Sequence, residues 1–93
     1  MREITTGELS KILEEHKRWI DTDEKEGQCA DLSNAKLCEA NLRNAYLCDA
    51  DLHNVCLCNA DLQGADFFRA DLSGANLSGA NLSGASLSGA IMK

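Results

Sequence analysis

Few residues in this chain carry reactive chemistry, and their spacing limits what they can do. Cysteine occurs at Cys29, Cys38, Cys48, Cys56 and Cys58. Thiolates hold soft cations or form disulfides, yet no CxxC pair or Cys/His spacing characteristic of zinc is present. An odd set of cysteines reads as free thiols in a reducing compartment. Histidine occurs only at His16 and His53, and His53 follows Asp51 by two residues. No Ser/His/Asp order comes with a nucleophile elbow, and no glycine loop is suited to cradle phosphate. The expectation is a protein that is not an enzyme, with no cofactor and no metal.

Composition narrows the classes further. The chain has 93 residues and a formal net charge of −6. An acidic surface does not neutralise phosphates, so direct nucleic-acid binding is not expected. Met1 to Ile20 is charged throughout, unlike a signal peptide. No apolar run approaches the ~20 residues of a membrane span. A soluble cytoplasmic protein is expected, without membrane contact.

The elements that must position these residues show in the stretch from Ala70 to Ala90, ADLSGANLSGANLSGASLSGA. An Ala falls every five residues from Ala30 to Ala90, with Val55 in one place. Two residues after each stands Leu32, Leu37, Leu42, Leu47, Leu52, Leu57, Leu62, Phe67, Leu72, Leu77, Leu82, Leu87 and finally Met92. A flexible Gly/Ser linker has no reason to hold large apolar residues at fixed phase. A helix would carry such a pattern around every face, since five steps of 100° do not close. A flat strand would switch faces at each repeat, because five is odd. A chain that turns a corner every five residues keeps Ala and Leu together on the inside. Asn or Gly at the last position, as in Asn34, Asn44, Gly74 and Gly79, suits the corner backbone.

The pattern resembles the pentapeptide-repeat family, whose motif is A(D/N)LXX, over residues 30–93. The resemblance implies a mainly β fold: a right-handed quadrilateral β-helix with four pentapeptides to a coil. The 13 repeats would then make about three coils. Residues 20 apart would stack. One face would carry Asp31, Asp51 and Asp71 beside Ser33, His53 and Ser73. A second would carry Cys56 beside Cys38 and Cys58. A fourth would carry Tyr46 and Asp66 beside Cys48 and Phe68.

Residues 1–29 lack the repeat and read as one amphipathic helix with a linker. Thr5 and Glu8 form a capping box, with Ile4 and Leu9 as a hydrophobic staple. Leu9, Ile12, Leu13, His16, Trp19 and Ile20 follow helical spacing on one face. The helix is expected to end near Asp21. Leu9, Ile12, Leu13, Trp19 and Ile20 would cap the open end of the first coil. The other reading is a docking helix anchored by Trp19.

Three surface features invite a functional reading. Stacked carboxylates at Asp31, Asp51 and Asp71 would raise at least one pKa unless backbone donors or cations compensate. Their ordinary role is to bond turn backbone. The resemblance adds another, a charge ladder imitating DNA, as proposed for family members that act on DNA gyrase. The thiols at Cys38, Cys56 and Cys58 would share a face; parallel Cβ vectors suit a disulfide poorly, and a soft metal is a third possibility. Tyr46 and Phe68 would point outward as a contact pair. The leading expectation is a non-enzymatic structural or protein-interaction module with an unknown protein partner. The alternative is an acidic DNA-mimicking regulator of an enzyme such as DNA gyrase. The final coil exposes apolar positions, and gyrase-acting members of the resembled family dimerise there. A weak homodimer through Leu82, Leu87, Ile91 and Met92 is therefore expected.

Overall fold

The corner residues decide the path of the chain. In the computed structural model, which describes residues 1–93, the last residue of each pentapeptide from Asn34 to Gly89 has positive φ, between 59° and 73°. In each corner the Ala N–H donates to the carbonyl of the Leu three residues earlier, as Ala35 does to Leu32 at 3.2 Å. Positive φ at the third turn residue with that bond is the arrangement of a type II turn. Asn and Gly accept it cheaply, while Glu39, Asp49 and Arg69 adopt it against their intrinsic preference.

Between corners the backbone pairs with the coil above and below. Parallel bridges join residues twenty apart, from Asp31 with Asp51 to Asp71 with Ile91. Four five-residue sides therefore make one turn of the chain. Each bridge is built from two hydrogen bonds: Leu32 N–H donates to Asp51 O at 2.8 Å, and Asp51 N–H donates to Ala30 O at 3.0 Å. No side is long enough for an extended strand, so the ladder is made of single rungs.

Inside the ladder lie the Ala and Leu positions. Ala30, Leu32, Leu52, Leu57, Leu62, Phe67 and Leu72 belong to one buried cluster of 16 residues. The small Ala at each rung leaves width for the Leu beside it. Burial fades along the axis. Leu77 and Leu82 are half-buried against the core, and Leu87 and Met92 are exposed.

The opposite end is covered. Helix α1 (Thr6–Asp21) starts at Thr5, whose side chain accepts from Glu8 N–H at 3.1 Å while Glu8 returns a bond to Thr5 N–H. Ile4, Leu9, Ile12 and Leu13 pack against the first coil. Trp19 instead stacks on His16 at 5.5 Å between ring centres, and Ile20 is half-buried. Gly27 brings the linker across the end of α1. A Cβ there would strike the Glu15 carbonyl, and φ is +76°. Ahead of the helix, β1 (Arg2–Glu3) pairs in parallel with β2 (Ala35–Lys36), Arg2 opposite Ala35 and Glu3 opposite Lys36. The sequence reading did not include this added rung, because two residues carry no periodicity.

Candidate interaction faces

The aspartate column is first a structural feature. Asp31 Oδ1 accepts from Ser33 N–H at 3.0 Å and from the Ser33 hydroxyl at 2.6 Å. Asp51 Oδ1 accepts from His53 N–H at 3.1 Å, and Asp71 Oδ1 from Ser73 N–H at 2.9 Å. Asn41, Asp61, Asp66, Asn76 and Asn81 make the same bond to the amide two residues on. This explains why Asp or Asn stands before the inward residue in eight of the thirteen repeats: the side chain closes a local turn.

The donors also settle the charge balance. Ser33, by hydroxyl and amide, holds the Asp31 carboxyl below its ordinary range, with Arg2 assisting. Ser73 does the same for Asp71, with His53 and Lys93 nearby. The stacked charges thus do not raise these two groups; hydrogen bonds to the ionised form outweigh repulsion. Partners stand beside the carboxylates: the Arg2 guanidinium at 3.5 Å from Asp31, and the His53 ring, positively charged when protonated, with Nδ1 at 2.6 Å from Asp51. Asp51 pulls the His53 pKa up, chiefly through that bond. On other faces Arg43 lies 3.7 Å from Asp61, and Arg69 3.6 Å from Asp49.

The aromatic pair lies on one face. Tyr46 bridges to Asp66, and Asp66 Oδ1 accepts from Phe68 N–H at 3.0 Å, so the two rings stand a rung apart. Both are exposed, at 51% and 44%. Lys17 of α1 places its ammonium 5.8 Å from the Tyr46 ring centre, and a salt bridge to Asp21 at 2.7 Å holds it there. The helix thus extends this face beyond the repeats.

The thiols come closer together than their sequence spacing suggests. Cys58 Sγ lies 2.7 Å from Cys38 Sγ and 3.5 Å from Cys56 Sγ. Cys38, then Cys58, lower the Cys56 pKa by donating to its thiolate, while Cys58 is pushed up to about 12 by Cys38 and Cys56. The Cys56 thiolate is thus favoured and the Cys58 thiolate opposed. Cys29 and Cys48 lie apart from it, and burial raises both.

His16 is the feature that sequence reasoning undervalued. It reads there as a packed helix residue, and the structure buries it fully, 0% exposed. Its Nδ1 accepts from Ala30 N–H at 2.8 Å, and its Nε2 bonds the Cys48 carbonyl at 2.8 Å. An amide can only donate and a carbonyl only accept, so the ring is neutral with its proton on Nε2. Burial accordingly lowers its pKa. A polar ring inside an otherwise apolar helical face is the signal that marks it.

The repeat geometry has known counterparts. The sequence matches a family model for pentapeptide repeats, in eight copies over residues 28–64 and 65–93. The chain belongs to the pentapeptide-repeat family. Pentapeptide-repeat proteins fold as right-handed quadrilateral β-helices. Among solved structures, HetL, a pentapeptide-repeat protein involved in heterocyst differentiation regulation in the cyanobacterium Nostoc sp. strain PCC 7120, is 42% identical with a TM-score of 0.67. The match covers 69% of this chain but 30% of HetL. A pentapeptide-repeat protein from the Arabidopsis thaliana thylakoid lumen is 30% identical over 68% of this chain and 50% of its own length, with a TM-score of 0.46. No curated protein matches. This pentapeptide-repeat chain has no helix long and apolar enough to cross a membrane.

Proposed function

We propose that this protein is a non-enzymatic interaction module, about three coils long, that recognises a protein partner through the face carrying Tyr46 and Phe68. The observation that carries this reading is the exposure of these two rings, one rung apart, on one face of the β-helix. Aromatic side chains offer large contact area at small entropic cost and are enriched among binding hot spots. The family is generally non-enzymatic, and HetL is involved in the regulation of heterocyst differentiation, a role that a binding face can serve. The test is a quantitative pull-down from source cells with the parent protein and with Tyr46→Ser combined with Phe68→Ser. The reading requires a specific protein that is lost with the double variant. Retention of the same proteins by both baits contradicts it.

The DNA-mimic alternative draws on the charge of −6 and on the column of Asp31, Asp51 and Asp71. It is the weaker reading, because each carboxylate already accepts from a local donor, and Asp31 and Asp71 also have Arg2 and Lys93 nearby. A gyrase supercoiling assay separates the two: inhibition that disappears with Asp51→Asn and Asp71→Asn favours mimicry.

A homodimer through the last coil is a further part of the proposal. Leu87, Ile91 and Met92 are exposed there, with Leu82 half-buried beside them. A second copy would cover them about a two-fold axis. Sedimentation equilibrium at tens of micromolar tests this, with Leu87→Lys plus Met92→Lys expected to give a monomer.

A further inference from the structure

The thiol trio is built in a way that no local motif describes. Cys38 belongs to one coil, and Cys56 and Cys58 to the next. The ladder pairs Lys36 with Cys56, and Glu39 N–H donates to Cys58 O at 2.9 Å, so register alone stacks the three on one face. All are partly accessible, and their Sγ atoms lie within 4.8 Å of one another. Three sulfurs bound to one ion at ~2.3 Å stand about 3.8–4.0 Å apart. The observed separations of 2.7 and 3.5 Å are somewhat shorter than that spacing, and all three Sγ atoms lie within 4.8 Å of one another. Small side-chain rotations therefore bring all three onto a shared centre, while the backbone rungs stay fixed.

We propose that Cys38, Cys56 and Cys58 form a three-thiolate site for a soft monovalent cation, with Cu(I) as the best fit. The donor set selects it. All three ligands are sulfur, which favours soft ions. No histidine or carboxylate joins the group. A closed zinc site takes four ligands in a tetrahedron, so three sulfurs alone leave it incomplete. Binding exchanges three S–H protons for one Cu(I), which gives the centre a charge of −2. Lys36, the ladder partner of Cys56, offsets part of it. The ion arrives as Cu(I), and no electron is transferred. The side opens to solvent between corners, so entry needs no movement of the core.

The site explains one asymmetry among the cysteines. All five are free, yet only these three converge, and Cys29 instead donates to the Asp49 carbonyl at 3.3 Å. Cys29 and Cys48 are therefore internal controls within the same chain.

The experiment titrates the reduced, full-length protein with Cu(I) under anaerobic conditions against a Cu(I)-chelating dye. Native mass spectrometry gives stoichiometry, and ultraviolet thiolate-to-copper absorption reports ligation. One Cu(I) per chain is expected. Cys38→Ser, Cys56→Ser and Cys58→Ser should each weaken binding at least tenfold, and Cys29→Ser with Cys48→Ser should leave it unchanged. Far-ultraviolet circular dichroism of every variant confirms that the fold persists, as expected for outward positions. Full-strength binding in Cys56→Ser, loss of binding in the Cys29/Cys48 variant, or preference for Zn(II) over Cu(I) in parallel titrations would each overturn the assignment.

Discussion

The Ala30 N–H donates to His16 Nδ1 at 2.8 Å, joining the first residue of the repeat to the middle of the capping helix. The other ring nitrogen reaches Cys48 O in the same coil. A single neutral imidazole thus supplies both a donor and an acceptor at the buried junction of α1 and the β-helix. The apolar contacts of Leu9, Ile12 and Leu13 give that junction area, and His16 gives it a fixed position.

That bond makes the fold sensitive to acid. The folded pKa of His16 lies below its ordinary value of 6.5, so the unfolded chain binds the proton more readily. Stability from this group is complete above pH 6.5 and declines as pH falls from there toward the folded pKa. His53 has the opposite sign: its raised pKa gives stability that is present below 6.5 and is lost as pH rises through the folded value. Nuclear magnetic resonance titration of the two imidazoles should place His16 below 6.5 and His53 above it. His16→Ala, which leaves an amide and a carbonyl unpaired, should cost about 3 kcal/mol in chemical denaturation. Coincident midpoints near 6.5 would contradict the buried, neutral assignment.

The inward positions should behave as a narrow, inflexible core. Leu57 is fully buried among stacked Ala and Leu, so Leu57→Ala should cost about 2–5 kcal/mol through the cavity it leaves. Leu57→Asp should not fold. The check is urea denaturation followed by circular dichroism, and a Leu57→Asp variant melting within a few degrees of the parent would refute the inward placement.

Corner residues allow a gain as well as a loss. Glu39 holds φ at 66°, where glycine is unstrained. Glu39→Gly should therefore stabilise the fold by about 1 kcal/mol, because relief of left-handed strain outweighs the added freedom of the unfolded chain. Gly64→Ala should destabilise it: φ is +70° and the new Cβ would meet Asn44 Oδ1 in the coil below. Thermal melts of both variants decide the point, and equal melting temperatures would argue against the corner assignment.

Much of this was legible in the sequence because five-residue periodicity leaves a corner-turning chain as its consistent solution. The Ala and Leu positions, the Asn and Gly corners, and the Thr5–Glu8 capping box are local signals, and each has a direct structural counterpart. What could not be read depends on contacts without periodicity. β1 rests on two residues, Arg2 and Glu3, that pair with a segment more than thirty residues away. The double bond of His16 needs the height of the first coil relative to α1, which sequence spacing does not set. The approach of Cys38 to Cys58 depends on side-chain rotamers above a correctly read stacking register. The lowered carboxyls of Asp31 and Asp71 depend on serine donors two residues on, whose effect outweighs the repulsion that the column itself suggests.

The proposed function is tested most directly at Phe68. Replacing it with a photo-crosslinking phenylalanine derivative in source cells should trap a discrete protein adduct. The same substitution at Ser83, exposed on a different face, should trap none, and Tyr46→Ser should abolish the adduct from position 68. Identical adducts from both positions, or no adduct at position 68, would contradict recognition through the Tyr46–Phe68 face.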